Sequence, residues 1–175
     1  MKNNFLRMFS VILLLLVSSG VLAQSFLINF PAFGTAPTAN PRGLTVCNGV
    51  SELQVYMSAS ATSTSPATVS IQLPSGINYV PGSATVVSTN AGITITEKGG
   101  TPQNPQFTIQ NPTGGIVNGN AVTFTIQRTA TCPARTEAIG GTVFKDTVSG
   151  TVPGSTAASA TSGSYAVNYP VFSFT

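Results

Sequence analysis

The residue types that carry most enzyme chemistry are scarce in this chain. Its 175 residues contain no histidine and four acidic side chains, Glu52, Glu97, Glu137 and Asp146. General acid–base and nucleophilic catalysis need titratable partners close together, and a Ser-His-Asp triad is impossible without histidine. Two carboxylates can converge in space as in a glycosidase, but none of these four stands in a recognisable motif. The sequence predicts a protein that is not an enzyme and needs no cofactor.

The surroundings of the acidic residues point the same way. Glu97 stands beside Lys98 ahead of two glycines, which predicts a solvated pair in a turn. Asp146 follows Lys145 in a predicted strand, and this adjacency gives it no specific role. Calcium sites need clustered carboxylates, and nucleotide sites need a Gly-rich loop between a strand and a helix. Neither pattern occurs, so no metal or nucleotide site is expected.

The first residues have the three parts of a secretory signal. Lys2 and Arg7 precede the apolar run Val11–Val17, and Val21-Leu22-Ala23 suits a signal peptidase that cuts before Gln24. An uncleaved anchor is the alternative, although the run is shorter than the roughly 20 residues that span a bilayer. No later segment is apolar enough to span one. We expect an extracellular protein associated with the cell surface and without membrane insertion after cleavage.

Basic residues do not form a nucleic-acid surface. Loss of residues 1–23 leaves five basic side chains against four acidic ones, a net charge of about +1. These five are scattered: Arg42, Lys98, Arg128, Arg135 and Lys145. Phosphate binding needs clustered Lys and Arg, so nucleic acid is not an expected partner.

Cys47 and Cys132 lie 85 positions apart. In an oxidising compartment a disulfide is the default for two such residues, and chain-entropy models give it about 4 kcal/mol of stabilisation at most. A free thiol and a metal site are the alternatives. A metal site is disfavoured because histidine and CxxC pairs are both absent.

Alternation of apolar and polar residues dominates the rest of the chain. It occurs in five segments: Leu53–Met57, Thr68–Leu73, Ile93–Ile95, Phe107–Ile109 and Val122–Gln127. Alternate side chains of a strand point to opposite faces, and antiparallel sheets with one solvated face have this pattern. Turn residues such as Pro, Gly and Asn separate the segments at short intervals. Many short strands of this kind predict an all-β sandwich or barrel.

The chain ends differ from its centre. Five regions are predicted: a signal peptide over 1–23, an N-terminal strand and spacer over 24–41, a sandwich core over 42–150, a flexible Ser/Thr/Ala/Gly-rich loop over 151–163, and a C-terminal strand over 164–175. The last strand is either paired within the sandwich or available to a neighbouring subunit or a longer protein. The residues that would then exchange or dock are Tyr165, Val167, Tyr169, Phe172 and Phe174.

One stretch resembles a known family. Leu73–Ala84 reads LPSGINYVPGSA and resembles the signature LP-x-G-(V/I)-x-Y-V-x-G-S-A of an Ig-like conserved-repeat domain, domain of unknown function eleven, found in large bacterial secreted and cell-surface proteins. Val122–Arg128 resembles the later V-T-F-T-V strand of that family, so the resemblance covers about Leu53–Arg128. It implies an Ig-like antiparallel β-sandwich and carries over no catalytic residue. Gln72 stands where the family commonly has Asp, and the two cysteines are outside its usual pattern.

Asp146-Thr147-Val148 resembles a short O-glycosylation sequon of bacterial exported proteins, in which Thr147 is the acceptor. A three-residue match also arises by chance, and an unmodified strand residue is the alternative.

Three functions are consistent with these features. The first is a non-enzymatic structural or adhesive surface module, whose partners are other surface modules or like subunits. The second is a self-assembling fibre subunit whose terminal strands complete the sheet of a neighbour. The third is a carbohydrate-binding sandwich, for which the chain offers no Trp and four tyrosines.

Overall fold

The computed structural model describes residues 25–31, 43–47, 49–60, 62–87, 92–116, 119, 121–131 and 144–168. The predicted signal peptide lies outside these residues. None of the described residues forms a helix long and apolar enough to cross a membrane. The strands are β1 (Phe26–Asn29), β2 (Leu44–Thr45), β3 (Ser51–Ala59), β4 (Ala67–Gln72), β5 (Ile77–Tyr79), β6 (Thr85–Val86), β7 (Thr94–Thr101), β8 (Asn104–Gln110), β9 (Ala121–Ala130), β10 (Thr147–Thr151), β11 (Ala158–Thr161) and β12 (Val167–Asn168).

These strands form two antiparallel sheets and a short parallel pair. In the first sheet the order is β1-β3-β9-β5, and β6 also pairs with β9. In the second sheet the order is β11-β10-β4-β8-β7, while β2 and β12 pair in parallel. The inward faces of the two sheets share one apolar core. The predicted all-β, Ig-like antiparallel sandwich is confirmed.

Alternation along the strands builds the core directly. Every second residue of β3 and of β9 is buried and the residues between them are half-buried, so each strand has one core face. Phe107 of the second sheet and Phe124 of the first are both fully buried, with ring centroids 6.0 Å apart. Burial of one such side chain stabilises the fold by roughly 1.5–3 kcal/mol.

The segment predicted as a flexible loop over 151–163 contains regular structure. Ala158–Thr161 form the edge strand β11, which pairs with β10. Before it, Val152 is buried and its carbonyl accepts a 2.9 Å hydrogen bond from the Ser155 amide in a tight turn. Ala158 and Ala160 pack against the core that the neighbouring strands form. A run of small residues is therefore sufficient for a strand at this edge.

The segment around Glu97, predicted to be a turn, is part of strand β7. β7 continues through Gly99 and Gly100 by means of a β-bulge at Lys98, between the paired residues Glu97 and Gly99. Gly100 has φ +98°, and a Cβ there would lie 2.1 Å from the Asn104 carbonyl oxygen. Glycine is therefore needed for close strand pairing here, and the chain reverses later, at Pro102 and Gln103.

Candidate functional site

An ion pair lies in the interior of the sandwich. Arg128 occupies an inward position near the end of β9, and Asp146 directly precedes β10. Nη1 of Arg128 donates a 2.6 Å hydrogen bond to Oδ2 of Asp146, and both side chains are 0% exposed. Since β9 belongs to the first sheet and β10 to the second, the pair links the two layers.

Three further residues complete what we call the polar cluster: Ser51, Ser162 and Tyr165. The Tyr165 hydroxyl donates a 2.8 Å hydrogen bond to the other carboxylate oxygen of Asp146. The Arg128 guanidinium lies 4.8 Å from the centroid of the Tyr165 ring, within the range of a cation–π contact. Ser162 Oγ accepts a 2.9 Å hydrogen bond from the Asp146 amide, and Ser51 Oγ lies 3.5 Å from Nη2 of Arg128.

Burial dominates the electrostatics of this cluster. It raises the pKa of the Asp146 carboxyl, whereas the Arg128 charge and the Tyr165 hydrogen bond act in the opposite direction. Burial and the Asp146 carboxylate likewise raise the pKa of Tyr165 well above its usual value. With one oxygen bonded to Arg128 and the other to Tyr165, and no exposed surface, the carboxylate is suited to holding chain segments together and not to meeting a substrate. Sequence reasoning missed this cluster.

A second polar site joins the signature segment to β7. Glu97 Oε1 accepts hydrogen bonds from the Tyr79 hydroxyl and, at 2.5 Å, from the Gly82 amide. Burial, followed by the hydrogen bond and charge of Glu97, raises the pKa of Tyr79 to about 12. The Tyr79 ring also contacts Phe107 edge-on, with centroids 5.4 Å apart. Glu97 is exposed, as the sequence predicted, but it lies in β7 and not in a turn, and its carboxylate is hydrogen-bonded to the signature segment.

Ser83 of the signature segment is bonded to β9. Ser83 Oγ donates to the Val80 carbonyl at 2.6 Å and accepts from the Gln127 amide at 2.9 Å. These bonds fix the turn that follows β5. A shallow cavity of about 180 Å³ lies beside the turn, lined in part by Tyr79, Pro81 and Glu97.

The predicted disulfide lies only partly within the described residues. Cys47 is not a free thiol, and Cys132 is outside the described residues. The Cys47 amide donates a 3.2 Å hydrogen bond to the Ala130 carbonyl, which is two positions before Cys132. Cys47 also has φ +57°, a left-handed conformation that is uncommon for a residue other than glycine. The pairing stays a prediction that this approach of the two segments favours.

Of the five residues predicted to dock a partner, Tyr165 and Val167 are described and both are buried in this chain. Val167 pairs with Leu44, and Tyr165 exchanges backbone hydrogen bonds of 3.1 and 3.2 Å with Phe144. A partner would therefore meet these two residues only if their segment left this position. Tyr169, Phe172 and Phe174 lie outside the described residues.

Thr147, the predicted acceptor of O-glycosylation, is half-buried on an interior strand. It pairs with Gln72 on one side and Thr161 on the other, and Asp146 before it is committed to the polar cluster. The modification stays a prediction. Among the described residues, no group of three potential metal-ligating side chains comes together.

No family model and no curated protein matches the chain. Solved structures with a similar layout include the pilus backbone protein RrgB of Streptococcus pneumoniae, at 14% identity and a TM-score of 0.44 over 73% of this chain and 31% of that one. BcpA, the major pilin subunit of Bacillus cereus, is 11% identical with a TM-score of 0.48, over 82% of this chain and 40% of that one.

A third similar structure is the cohesin module of a Clostridium perfringens family 33 glycoside hydrolase. It is 8% identical with a TM-score of 0.46, over 85% of this chain and 98% of that one. This chain thus spans about a third of the pilus backbone chain and two fifths of the pilin. All three TM-scores lie below 0.5, so we transfer no partner, substrate or role from these structures.

Proposed function

We propose that this chain is a non-enzymatic structural or adhesive module of the extracellular surface. The observation that carries the proposal is the polar cluster. Buried hydrogen bonds join Arg128 of the first sheet, Asp146 directly before β10 and Tyr165 before β12. Such a cluster holds both layers and a late chain segment in one arrangement, which suits a rigid unit for spacing or display.

The outer face of the second sheet supports the same role. Its outward positions on β4 and β10 are Thr68, Ser70, Gln72, Thr147, Ser149 and Thr151. Ser70 Oγ donates to Asn104 Oδ1 at 2.8 Å, and Asn104 Nδ2 donates to Gln72 Oε1 at 2.6 Å. An uncharged, hydrogen-bonded surface of this kind stays hydrated without attracting ions.

Membership of the conserved-repeat family belongs to this proposal as well. Its support is the resemblance of Leu73–Ala84 together with the bonding of that segment, in which Tyr79 and Ser83 each hold a defined partner. These contacts give physical reasons for the tyrosine and serine of the signature.

Surface labelling tests the proposed location. Intact cells that produce the protein should bind an antibody against the sandwich, and should lose the epitope when treated with an external protease. A cytoplasmic protein serves as the control and should survive the protease. If the epitope becomes accessible only after the cells are lysed, the surface role is wrong.

The second candidate function is a fibre subunit that exchanges its C-terminal strand with a neighbour. The arrangement of β12 favours it, since this strand is two residues long and belongs to neither large sheet. The same hydrogen bonds from Tyr165 would then form in a neighbouring copy, as in strand addition. Size-exclusion chromatography should show assemblies that disappear when residues 164–175 are deleted; a monomer both with and without them contradicts this candidate.

A further inference from the structure

The shallow cavity beside the turn of the signature segment has mainly apolar walls. Its lining consists of Tyr79, Pro81, Glu97, Gly99, Gly100, Thr101, Pro102 and Pro105. Three proline rings and one tyrosine ring supply the walls, and the two glycines leave space because they have no side chains. Its volume of about 180 Å³ is below the roughly 300–1,000 Å³ of pockets that enclose a small-molecule ligand. The cavity therefore has the size for a single side chain.

Glu97 is the charged residue of this lining. Its Oε1 atom accepts hydrogen bonds from the Tyr79 hydroxyl and the Gly82 amide. Among the residues that the structure describes, none donates to Oε2, and no lysine or arginine forms an ion pair with this carboxylate. The pKa of Tyr79 is raised to about 12, so its hydroxyl stays neutral at physiological pH. The cavity thus combines apolar walls with one negative charge and one acceptor oxygen.

We propose that this cavity binds a lysine side chain of a partner protein. The methylene stem of the lysine lies against Pro81 and Pro102, and its ammonium group donates a hydrogen bond to Oε2 of Glu97. Long cationic side chains bury their stems against apolar surface in this way while the charged end stays near water. The inference adds a partner site to the proposed function and does not depend on it.

The geometry of the carboxylate favours lysine over arginine. A guanidinium group binds a carboxylate best through two parallel hydrogen bonds, one to each oxygen. Since Oε1 of Glu97 already has two donors, a guanidinium would have to displace one of them. An ammonium group is a compact charge that needs a single acceptor.

The shape of the cavity favours a partner protein over a free amine. Sites for small ligands bury most of the surface of the ligand, whereas a shallow cavity of this volume covers only one side of it. A lysine presented by a folded partner also gains contacts from the residues around it, which a free amine lacks.

An NMR titration of the isotope-labelled chain from residue 24 onward tests the proposal. The probe is the peptide acetyl-Thr-Val-Lys-Val-Thr-amide, and it should shift the amide signals of Gly82, Gly99 and Gly100. The same peptide with norleucine in place of lysine keeps the stem without the charge and should bind about five-fold more weakly. The version with arginine should also bind more weakly than the lysine peptide.

Variants of the protein locate the charge. Glu97→Gln keeps an acceptor for Tyr79 and Gly82, and it should weaken binding of the lysine peptide about five-fold without affecting the norleucine peptide. Glu52→Gln removes one negative charge from the other sheet and is the matched control, with a change of less than about two-fold. Lys98→Ala, beside Glu97, should not weaken binding. Thermal melting checks that each variant is folded.

Four outcomes overturn the proposal. Equal affinity for the lysine and norleucine peptides, measured on the wild-type protein, removes the ion pair. Shifts confined to another surface, or no shifts at all, remove the site. Equal weakening by Glu52→Gln and Glu97→Gln reduces the effect to general attraction of charge. Butylammonium chloride that binds as tightly as the lysine peptide assigns the cavity to a free amine. None of these results bears on the location of the protein, which surface labelling tests separately.

Discussion

Arg128 and Asp146 form a buried ion pair at 2.6 Å, although Arg128 lies near the end of a strand of the first sheet and Asp146 directly precedes a strand of the second. Desolvation of two charges is costly, and a buried pair recovers that cost only when its remaining hydrogen-bonding groups are also satisfied. The Tyr165 hydroxyl donates such a bond to the Asp146 carboxylate, and Ser162 Oγ accepts one from the Asp146 backbone amide. The cluster therefore works as a unit whose parts depend on one another.

Removal of one charge from this pair should be far more harmful than removal of both. Asp146→Asn leaves the Arg128 charge uncompensated and should lower the free energy of unfolding by about 3–5 kcal/mol. The double variant Arg128→Met/Asp146→Leu removes both charges at similar volume and should recover most of that loss. Urea denaturation measures both. A double variant as unstable as Asp146→Asn would mean that the ion pair itself stabilises the fold.

The Tyr165 hydroxyl should fasten the segment before β12. Tyr165→Phe removes a hydrogen bond to a charged group and should cost about 1.5–3 kcal/mol. Amide hydrogen exchange over residues 163–168 should become faster. Tyr56→Phe, on the outer face of the first sheet, is the control and should change stability by less than about 0.5 kcal/mol. Unchanged exchange in Tyr165→Phe would show that the backbone bonds of β12 suffice.

Glu97 should stabilise the turn of the signature segment. Glu97→Ala leaves the Tyr79 hydroxyl and the Gly82 amide without their acceptor and should cost about 2 kcal/mol. Glu97→Gln keeps a neutral acceptor and should cost less, while the adjacent Lys98→Ala should be nearly neutral. Equal effects of the Glu97 and Lys98 variants in denaturant titrations would contradict this role.

Alkaline pH should weaken the fold through Tyr79. Its pKa in the folded protein is about 12, against about 10 for an unperturbed tyrosine. Between these values the folded state keeps a proton that the unfolded state has lost, so the free energy of unfolding falls as the pH rises through this window. The contribution is complete below about pH 10. Tyr79→Phe should lack this part of the alkaline loss, which stability measurements from pH 9 to pH 12 would show.

The two cysteines should be paired in the exported protein. Alkylation without reduction should add no mass, and alkylation after reduction should add two labels. Cys47→Ser should expose the Cys132 thiol to the reagent and lower stability by up to about 4 kcal/mol. Labelling of the unreduced wild-type protein would contradict the pairing.

The strands and their buried faces could be predicted from alternation, but the polar cluster was not. The rhythm of Val122, Phe124 and Ile126 continues to Arg128, which is fully buried. This alternation indicates that Arg128 faces the core, yet a charged residue near a strand end is ordinarily expected to face solvent. Its pairing with Asp146 depends on how two sheets face each other, and no spacing within one strand encodes that relation.

Glycines and small residues account for the other differences. The pair Gly99-Gly100 is typical of a turn, whereas here it allows a bulge and close strand contact. Which of the two occurs is decided by the neighbouring strand β8. In the same way, β11 owes its order to β10 and not to its own low-complexity sequence.

The position of β9 in the chain affects how fast the protein can fold. This strand pairs with β3, β5 and β6. The strand to which they all pair is therefore complete only when residue 130 has been synthesised. Its contacts span long stretches of sequence, as between Ser51 and Arg128, which are 77 positions apart. Folds built from such distant pairings close slowly, in milliseconds to seconds. For a chain exported as we propose, we expect this slow closure to leave time for passage across the membrane before the first sheet has formed.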